Sequence, residues 1–481
     1  MNNLKQKTVY GLIWNFLERF FNTIVLFVVG VILARILEPS EFGLIGMLAI
    51  FISLSQVLIN SGLNTAIIRK KSAREIDYAT VFVFNIVSSL GFFLLLVALS
   101  KPISIFYDEP ILKNILILLA FGLVIESFGA IQLAKLQKEM DFKLQTIISL
   151  IATTISGTVA IIMALQGYGV WSLVALHLSR ILTTTILIWV LVKWKPSLGF
   201  DKKSFFEMYS FGSKLLFSGI IDTIYIKGFA LLIGKFYSTA QVGFYNQSDR
   251  LQSLVSTNIS GLITKVSFPL LSQIKDSVVL KNAYKEIIRN IMFISFVLLL
   301  GLGATAESLV LALLGEKWHE SVIYLQMLVL SGMLLPFQAL NTDILKVYGR
   351  SDLFLKVVLI KKAIAIPVML ITAFISINAM IIGIVLMSIL SYIINVHWSN
   401  KYIDYPLQEQ LKDVFPSFMI ALVNATIIYF IGQYLTTPHW LTLIIQVSLG
   451  FVFIVVFCEV TQNSIYKKIK SNLLDVVGGK K

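Results

Sequence analysis

The chain has 481 residues, 57% of them hydrophobic and only 14% charged, with a formal net charge of +14 and a mean hydropathy of +0.84. An ordinary soluble domain is about a quarter charged, so water is not the main solvent of this chain, and no soluble catalytic domain has room to fit. Its one cysteine, Cys458, excludes a disulfide framework and a thiolate metal cluster.

Apolar runs of about 20 residues, each long enough to cross the ~30 Å hydrocarbon core as a helix, predict an all-α integral membrane protein. The fourteen spans fall at 11–33, 43–66, 79–99, 112–133, 145–165, 170–192, 211–233, 247–271, 287–309, 322–345, 357–376, 379–400, 413–434 and 439–460. Span 1 exceeds a signal-peptide apolar region, carries Glu18 and Arg19, and has no small-residue cleavage site behind it, so it reads as a retained helix. Asn15, Arg19 and Asn22 share one of its faces. Span 2 carries Ser53, Gln56, Asn60 and Asn64 at spacings of three and four, again a single face. Spans 4 and 6 place Glu126 and Arg180 at membrane depth. Span 7 carries Lys214, Ser218 and Asp222 on one face, with Lys227 beyond them. Span 8, the least apolar, holds Asp249, Arg250 and Lys265 among Ser253, Ser256, Ser260 and Thr264. Span 11 holds Lys361 and Lys362, adjacent residues that cannot share a face.

Alternate loops differ sharply in basic residues. One set, which includes both termini, carries 27 Lys and Arg, and the other carries only Arg35, Lys101, Lys113, Lys235 and Lys317. Cytoplasmic loops hold the excess, which places both termini in the cytoplasm and gives the +14 a topological meaning in place of a nucleic-acid partner. The connections on the other side are short, and Gln166 to Gly169 and Ser376 to Ala379 are bare turns.

An internal repeat recurs at an offset of 200. Val31 to Gly43 lies against Leu231 to Gly243, pairing Arg35 with Lys235, and the polar residues of span 2 recur in span 8. Such an offset spans six helices and preserves orientation, as in parallel repeats related by an axis along the membrane normal. The expected organisation is an N-terminal lobe over 1–200, a C-terminal lobe over 201–402, and two further helices with a basic tail over 403–481. Four repeat-related spans (1, 2, 7 and 8) each present a polar stripe, as expected of helices that line one aqueous cavity. Its candidate lining is cationic through Arg19, Arg180, Lys227, Lys214, Arg250 and Lys265, and polar through Asn15, Asn22, Gln56, Asn60 and Asn64. Each charge costs roughly 2.5–3.5 kcal/mol at the helix centre. A surplus of cations there suits an anionic cargo, since Arg grips phosphate with two prongs and Lys adds a point charge. Lys214, Arg250 and Lys265 have snorkelling to an interface as an alternative. Asp222 and Glu126 are candidate proton or sodium sites, with salt-bridge partnership as the alternative.

Nucleotide and metal motifs are missing. Gly234-Lys235 is followed by Phe236 where a phosphate-binding loop needs Ser or Thr, and His177, His319, His397 and His439 lie on separate segments. No cofactor is expected. A membrane glycosyltransferase or polymerase would need surface carboxylates and usually a long outer loop, against which the short outer segments argue.

Ile32-Leu-Ala-Arg-Ile-Leu-Glu-Pro-Ser-Glu-Phe-Gly43, together with Gly234 and Val242-Gly-Phe-Tyr245, resembles the corresponding stretches of the polysaccharide-exporting flippases of the multidrug/oligosaccharidyl-lipid/polysaccharide superfamily, in particular the Wzx type that serves O-antigen, capsule and exopolysaccharide synthesis. The resemblance implies a V-shaped, two-lobed MATE-like transporter in the inner membrane. It would carry undecaprenyl-diphosphate-linked oligosaccharide to the outer face by alternating access, alongside the polymerase and chain-length proteins of the pathway. Arg19 resembles the cavity arginines of this superfamily, and the isoprenoid tail would stay in membrane lipid. A cation-coupled drug exporter of the same superfamily is the alternative; those exporters usually have twelve helices and favour cavity carboxylates.

Overall fold

The computed structural model describes residues 2–60, 62–463, 465–468 and 470–471, without the side chains of 2–9, 12, 211, 214, 215, 262 and 266. Among these residues all regular structure is helical and no strand is present. In order the helices are α1 (Asn2–Ile36), α2 (Pro39–Asn60), α3 (Leu63–Arg69), α4 (Glu75–Tyr107), α5 (Ile111–Glu139), α6 (Phe142–Leu165), α7 (Val170–Leu191), α8 (Lys202–Phe236) and α9 (Thr239–Gln273). They continue as α10 (Ser277–Ala304), α11 (Ala306–Leu313), α12 (Ser321–Gly332), α13 (Leu335–Val347), α14 (Ser351–Ala373), α15 (Ile377–Ile403), α16 (Leu407–Tyr434) and α17 (His439–Val460).

Thirteen helical segments of the described residues are long and apolar enough to cross a membrane. The expected span 357–376 is helical as α14, but Lys356, Lys361 and Lys362 keep it out of that thirteen. Helices α1, α8 and α9 each run 35 residues, about 52 Å at 1.5 Å per residue, so their ends project beyond a ~30 Å core. Two expected spans are broken in the middle. Span 43–66 ends as α2 at Asn60 and resumes as α3, with Gly62 between them at φ +68°, a left-handed geometry that favours glycine. Span 322–345 divides into α12 and α13, with Pro336 in the first turn of α13, where its missing N–H costs nothing. Side chains written into the loops start several helices: Asp141, Asp201, Asp276 and Ser376 each accept from backbone N–H groups of the first turn, satisfying donors a helix cannot satisfy itself.

The chain forms two compact units, Met1–Gly243 and Phe244–Lys481. In the first, α4 packs along α5, α6 along α7, α1 along α6, and α2 along α8. Close approach rests on small residues, as membrane helix pairs require. Gly122 and Gly129 of α5 admit Leu178, Ile181, Thr185 and Ile188 of α7, and Gly219 of α8 admits Val57 of α2. At one end the two glycines that the 200-residue offset relates make the same contact in reverse. A Cβ on Gly43 would stand 1.7 Å from the carbonyl oxygen of Thr239, and one on Gly243 would stand 2.0 Å from that of Pro39.

In the second unit α10 packs along α16, α13 and α12 against α15, and α14 along α15. Its core gathers Tyr284, Ile288, Met292, Phe337, Leu340, Tyr392 and Tyr405. A buried amide network runs through it: Asn341 Oδ1 accepts from Ser399 Oγ at 2.6 Å, and Tyr392 Oη donates to Gln410 Oε1 at 3.2 Å. Cys458 is fully buried there, packed with Phe293 and Ile454.

Candidate functional site

On α1 the polar residues separate by helical phase. Glu18 and Asn22, four apart and so on one side, face α6. Asn22 Nδ2 donates to Ser149 Oγ at 2.8 Å and Asn22 Oδ1 accepts from Thr153 Oγ1 at 2.8 Å. Glu18, on the same side, lies near Ser149 and within electrostatic reach of Arg180 on α7. Asn15 and Arg19, also four apart, are both exposed at the surface of this unit. The stripe Asn15, Arg19 and Asn22 expected from spacing therefore divides, with Asn22 held between helices and the other two outward. The sequence carried Glu18 and Arg180, 162 positions apart, without any local pattern that joined them.

On α2, Gln56 Nε2 donates to Glu126 Oε2 of α5 at 3.1 Å. The two side chains line a crevice with Asn60 and Ser127 whose volume is ≈ 10 Å³, about one water's worth. Beyond it, Asn64 Nδ2 donates to Asn60 Oδ1 at 2.9 Å, and the buried Asn85 donates to Asn64 at 3.2 Å. Asn64 belongs to α3, so this chain of amides bridges the break at Gly62 without lying on one continuous helix face. On α8, Asp222 and Lys227 are half-buried; the Lys214 side chain lies outside the described residues.

In the second unit, Arg250 is half-buried and Lys265 exposed along α9. The polar residues between them are occupied within that helix. Ser256 accepts from Gln252 at 2.8 Å, Ser260 donates to the Ser256 carbonyl at 2.9 Å and Thr264 to the Ser260 carbonyl at 3.1 Å. Among the described residues no group of three or more His, Cys, Asp and Glu side chains is arranged to hold a metal.

The first unit thus brings together Glu18 with Arg180 and Gln56 with Glu126 at membrane depth, and it displays Arg19. A carboxylate within electrostatic reach of a guanidinium there lowers the cost of keeping both charged. An exposed guanidinium offers a two-pronged donor to an oxyanion.

The chain is similar in sequence and in fold to known proteins. The chain is 24% identical over 457 residues to the lipopolysaccharide biosynthesis protein WzxC of Escherichia coli (strain K12), covering 94% of this chain and 89% of that one. It is 25% identical over 360 residues to the teichuronic acid biosynthesis protein TuaB of Bacillus subtilis (strain 168), covering 73% and 74%. Its fold matches the lipid II flippase MurJ in an inward closed conformation, with a TM-score of 0.70 at 15% identity, over 95% of this chain and 100% of that one. The profile of the polysaccharide biosynthesis protein family matches residues 32–323, a stretch that runs from the motif around Arg35 and Gly43 through α9 and into α12. The chain is a multi-pass membrane protein and belongs to the polysaccharide biosynthesis protein family.

Proposed function

We propose that this protein is a flippase that moves undecaprenyl-diphosphate-linked oligosaccharide repeat units from the cytoplasmic to the outer face of the inner membrane by alternating access, with both termini in the cytoplasm. The family match over residues 32–323 carries this reading, and the flippase fold shared over 95% of the chain supports it. In this reading Arg19 and Arg180 meet the diphosphate, with Lys227, Lys214, Arg250 and Lys265 adding positive charge along the path. Asn15, Gln56, Asn60 and Asn64 supply polar lining for the sugars, while Asn22, bonded to Ser149 and Thr153, braces α1 against α6. Glu126 and Asp222 are the carboxylates that would exchange a driving proton or sodium ion. The product would pass to a polymerase and its chain-length partner.

The test is deletion of the gene in its host, complemented with wild type, Arg19→Ala and Arg180→Ala. Surface polysaccharide and the pool of undecaprenyl-diphosphate oligosaccharide are measured together by mass spectrometry. The expected result is loss of surface polymer and accumulation of single repeat units, rescued by wild type and by neither variant although both insert in the membrane. Normal polymer in both variants would remove the two arginines from the path. Unchanged pools with raised drug sensitivity in the deletion would replace the flippase by a small-molecule exporter.

A further inference from the structure

At one end of the second unit, α14 and α15 carry basic residues that the fold does not neutralise. Lys356 of α14 and Lys401 of α15, both exposed, direct their ammonium groups at one indole. Lys356 Nζ lies 5.4 Å and Lys401 Nζ 4.5 Å from the ring centroid of Trp398. The two ammonium groups are therefore within about 10 Å of each other, one Debye length at 0.1 M salt, too close for solvent ions to screen fully.

Three carboxylates near this end already hold other cations. Asp352 pairs with Arg350 at 2.8 Å, Asp343 with Lys346 at 2.8 Å, and Asp404 with Lys281 at 3.8 Å. Among the described residues no acid lies within ion-pair distance of Lys356 or Lys401. One and a half turns deeper on α14, Lys361 is half-buried and likewise has no carboxylate at ion-pair distance. Such a group of like charges attracts an anion from outside the chain.

The surroundings specify which anion. Leu355 is 53% and Leu359 44% exposed, so the helix that carries Lys356 shows an apolar flank where the lysine emerges. Trp is the residue that membrane proteins place at headgroup level. Basic pockets between membrane helices collect the phosphates of acidic lipids. We infer that the α14–α15 end is a binding site for an anionic phospholipid, whose headgroup phosphate sits between Lys356 and Lys401 over the Trp398 edge while its acyl chains lie along Leu355 and Leu359. A competing cluster, Lys285 and Arg289 of α10, does not qualify, because Glu409 and Asp413 already bind both cations.

The full-length protein, stripped of lipid in detergent, would be titrated with phosphatidylglycerol, with phosphatidylcholine and with inorganic phosphate. Bound lipid is counted by native mass spectrometry. The inference expects phosphatidylglycerol to bind in preference to phosphatidylcholine and to resist competition by inorganic phosphate. K356Q and K401Q should each weaken phosphatidylglycerol roughly fivefold, the worth of one juxtamembrane lysine. The charge-conserving pair K356R/K401R should retain binding, and K101Q on α4 should change nothing. Equal binding of both lipids, full displacement by inorganic phosphate, or wild-type affinity in K356Q/K401Q would each overturn it. Because binding is read without any oligosaccharide cargo, the outcome is independent of the flippase reading.

Discussion

The loop end and the membrane-depth middle of the first unit treat a carboxylate in opposite ways. Asp77, fully buried at the start of α4, takes donors from all sides: Ser204 Oγ at 2.6 Å, the Arg74 backbone N–H at 2.8 Å, Arg74 Nη2 at 3.2 Å and Lys70 Nζ at 3.3 Å. Lys70 also bridges to Glu207 at 2.9 Å. Burial alone would pull the Lys70 ammonium down, but the bonds to Glu207 and Asp77 outweigh it and hold it above the ordinary lysine value. Glu126, by contrast, receives one amide donor, from Gln56. Saturation marks the charge that holds loops together, and spare hydrogen-bonding capacity marks the charge that structure alone does not explain.

Three sets of substitutions break or sharpen that contrast. The largest effect is expected at Asp77. Asp77→Ala strands Lys70 and Arg74 without their shared partner, and removing one member of a buried ion network costs about 3–5 kcal/mol. Glu126→Gln, which loses a single interaction, should stay within about 1 kcal/mol of wild type. Unfolding temperatures of the two variants in detergent decide the matter, and equal losses would end the distinction between the two sites.

Next is the reciprocal glycine contact. Gly43→Ala pushes a methyl into the Thr239 carbonyl, backbone that cannot step aside as a side chain can, and overpacking of this kind costs about 1–3 kcal/mol. Gly91→Ala, in the interior of α4 with nothing within 4 Å of a new Cβ, should instead stabilise by roughly 0.5–1 kcal/mol. The opposite signs are read in the same melting experiment.

The smallest effect belongs to an exposed pair. Arg350 beside it holds the Asp352 carboxyl at about 2, below its ordinary value near 3.9. A depressed carboxylate contributes above its unfolded pKa and loses that contribution as pH falls through the folded one. Asp352→Asn should therefore shift the unfolding temperature least of the three, by an amount that stays constant from about pH 5 to 8 and disappears only toward about pH 2. A shift that varied near neutral pH would mean that another group is titrating there.

The expected spans were legible because hydropathy runs are one-dimensional, and each of the fourteen has a helical counterpart. Breaks were less visible. Pro336 is an open signal for the start of α13, but Gly62 sits inside an apolar run that reads as continuous, and only the left-handed φ exposes the end of α2. Pairings across the fold were not legible at all. Nothing near Glu18 announces Ser149 or Arg180, and nothing near Gln56 announces Glu126, because such contacts arise when distant helices pack. Lys138 shows a subtler shortfall. It counts toward the loop charge that orients the chain, yet its ammonium donates to the Ile67 and Lys70 carbonyls at 2.9 and 2.6 Å, closing the end of α3, whose last carbonyls have no helical partner.

Cys458, alone of its kind and fully buried beside Phe293 and Ile454, leaves the native surface without a thiol. Reactive cysteines are partly exposed ones, so maleimide reagents should pass over the wild-type protein. A single cysteine introduced in the turn between α6 and α7, or in the loop between α3 and α4, becomes the one addressable atom in the molecule. The native sequence is in this sense already a silent background for thiol labelling, against which the sidedness of each loop can be read one position at a time.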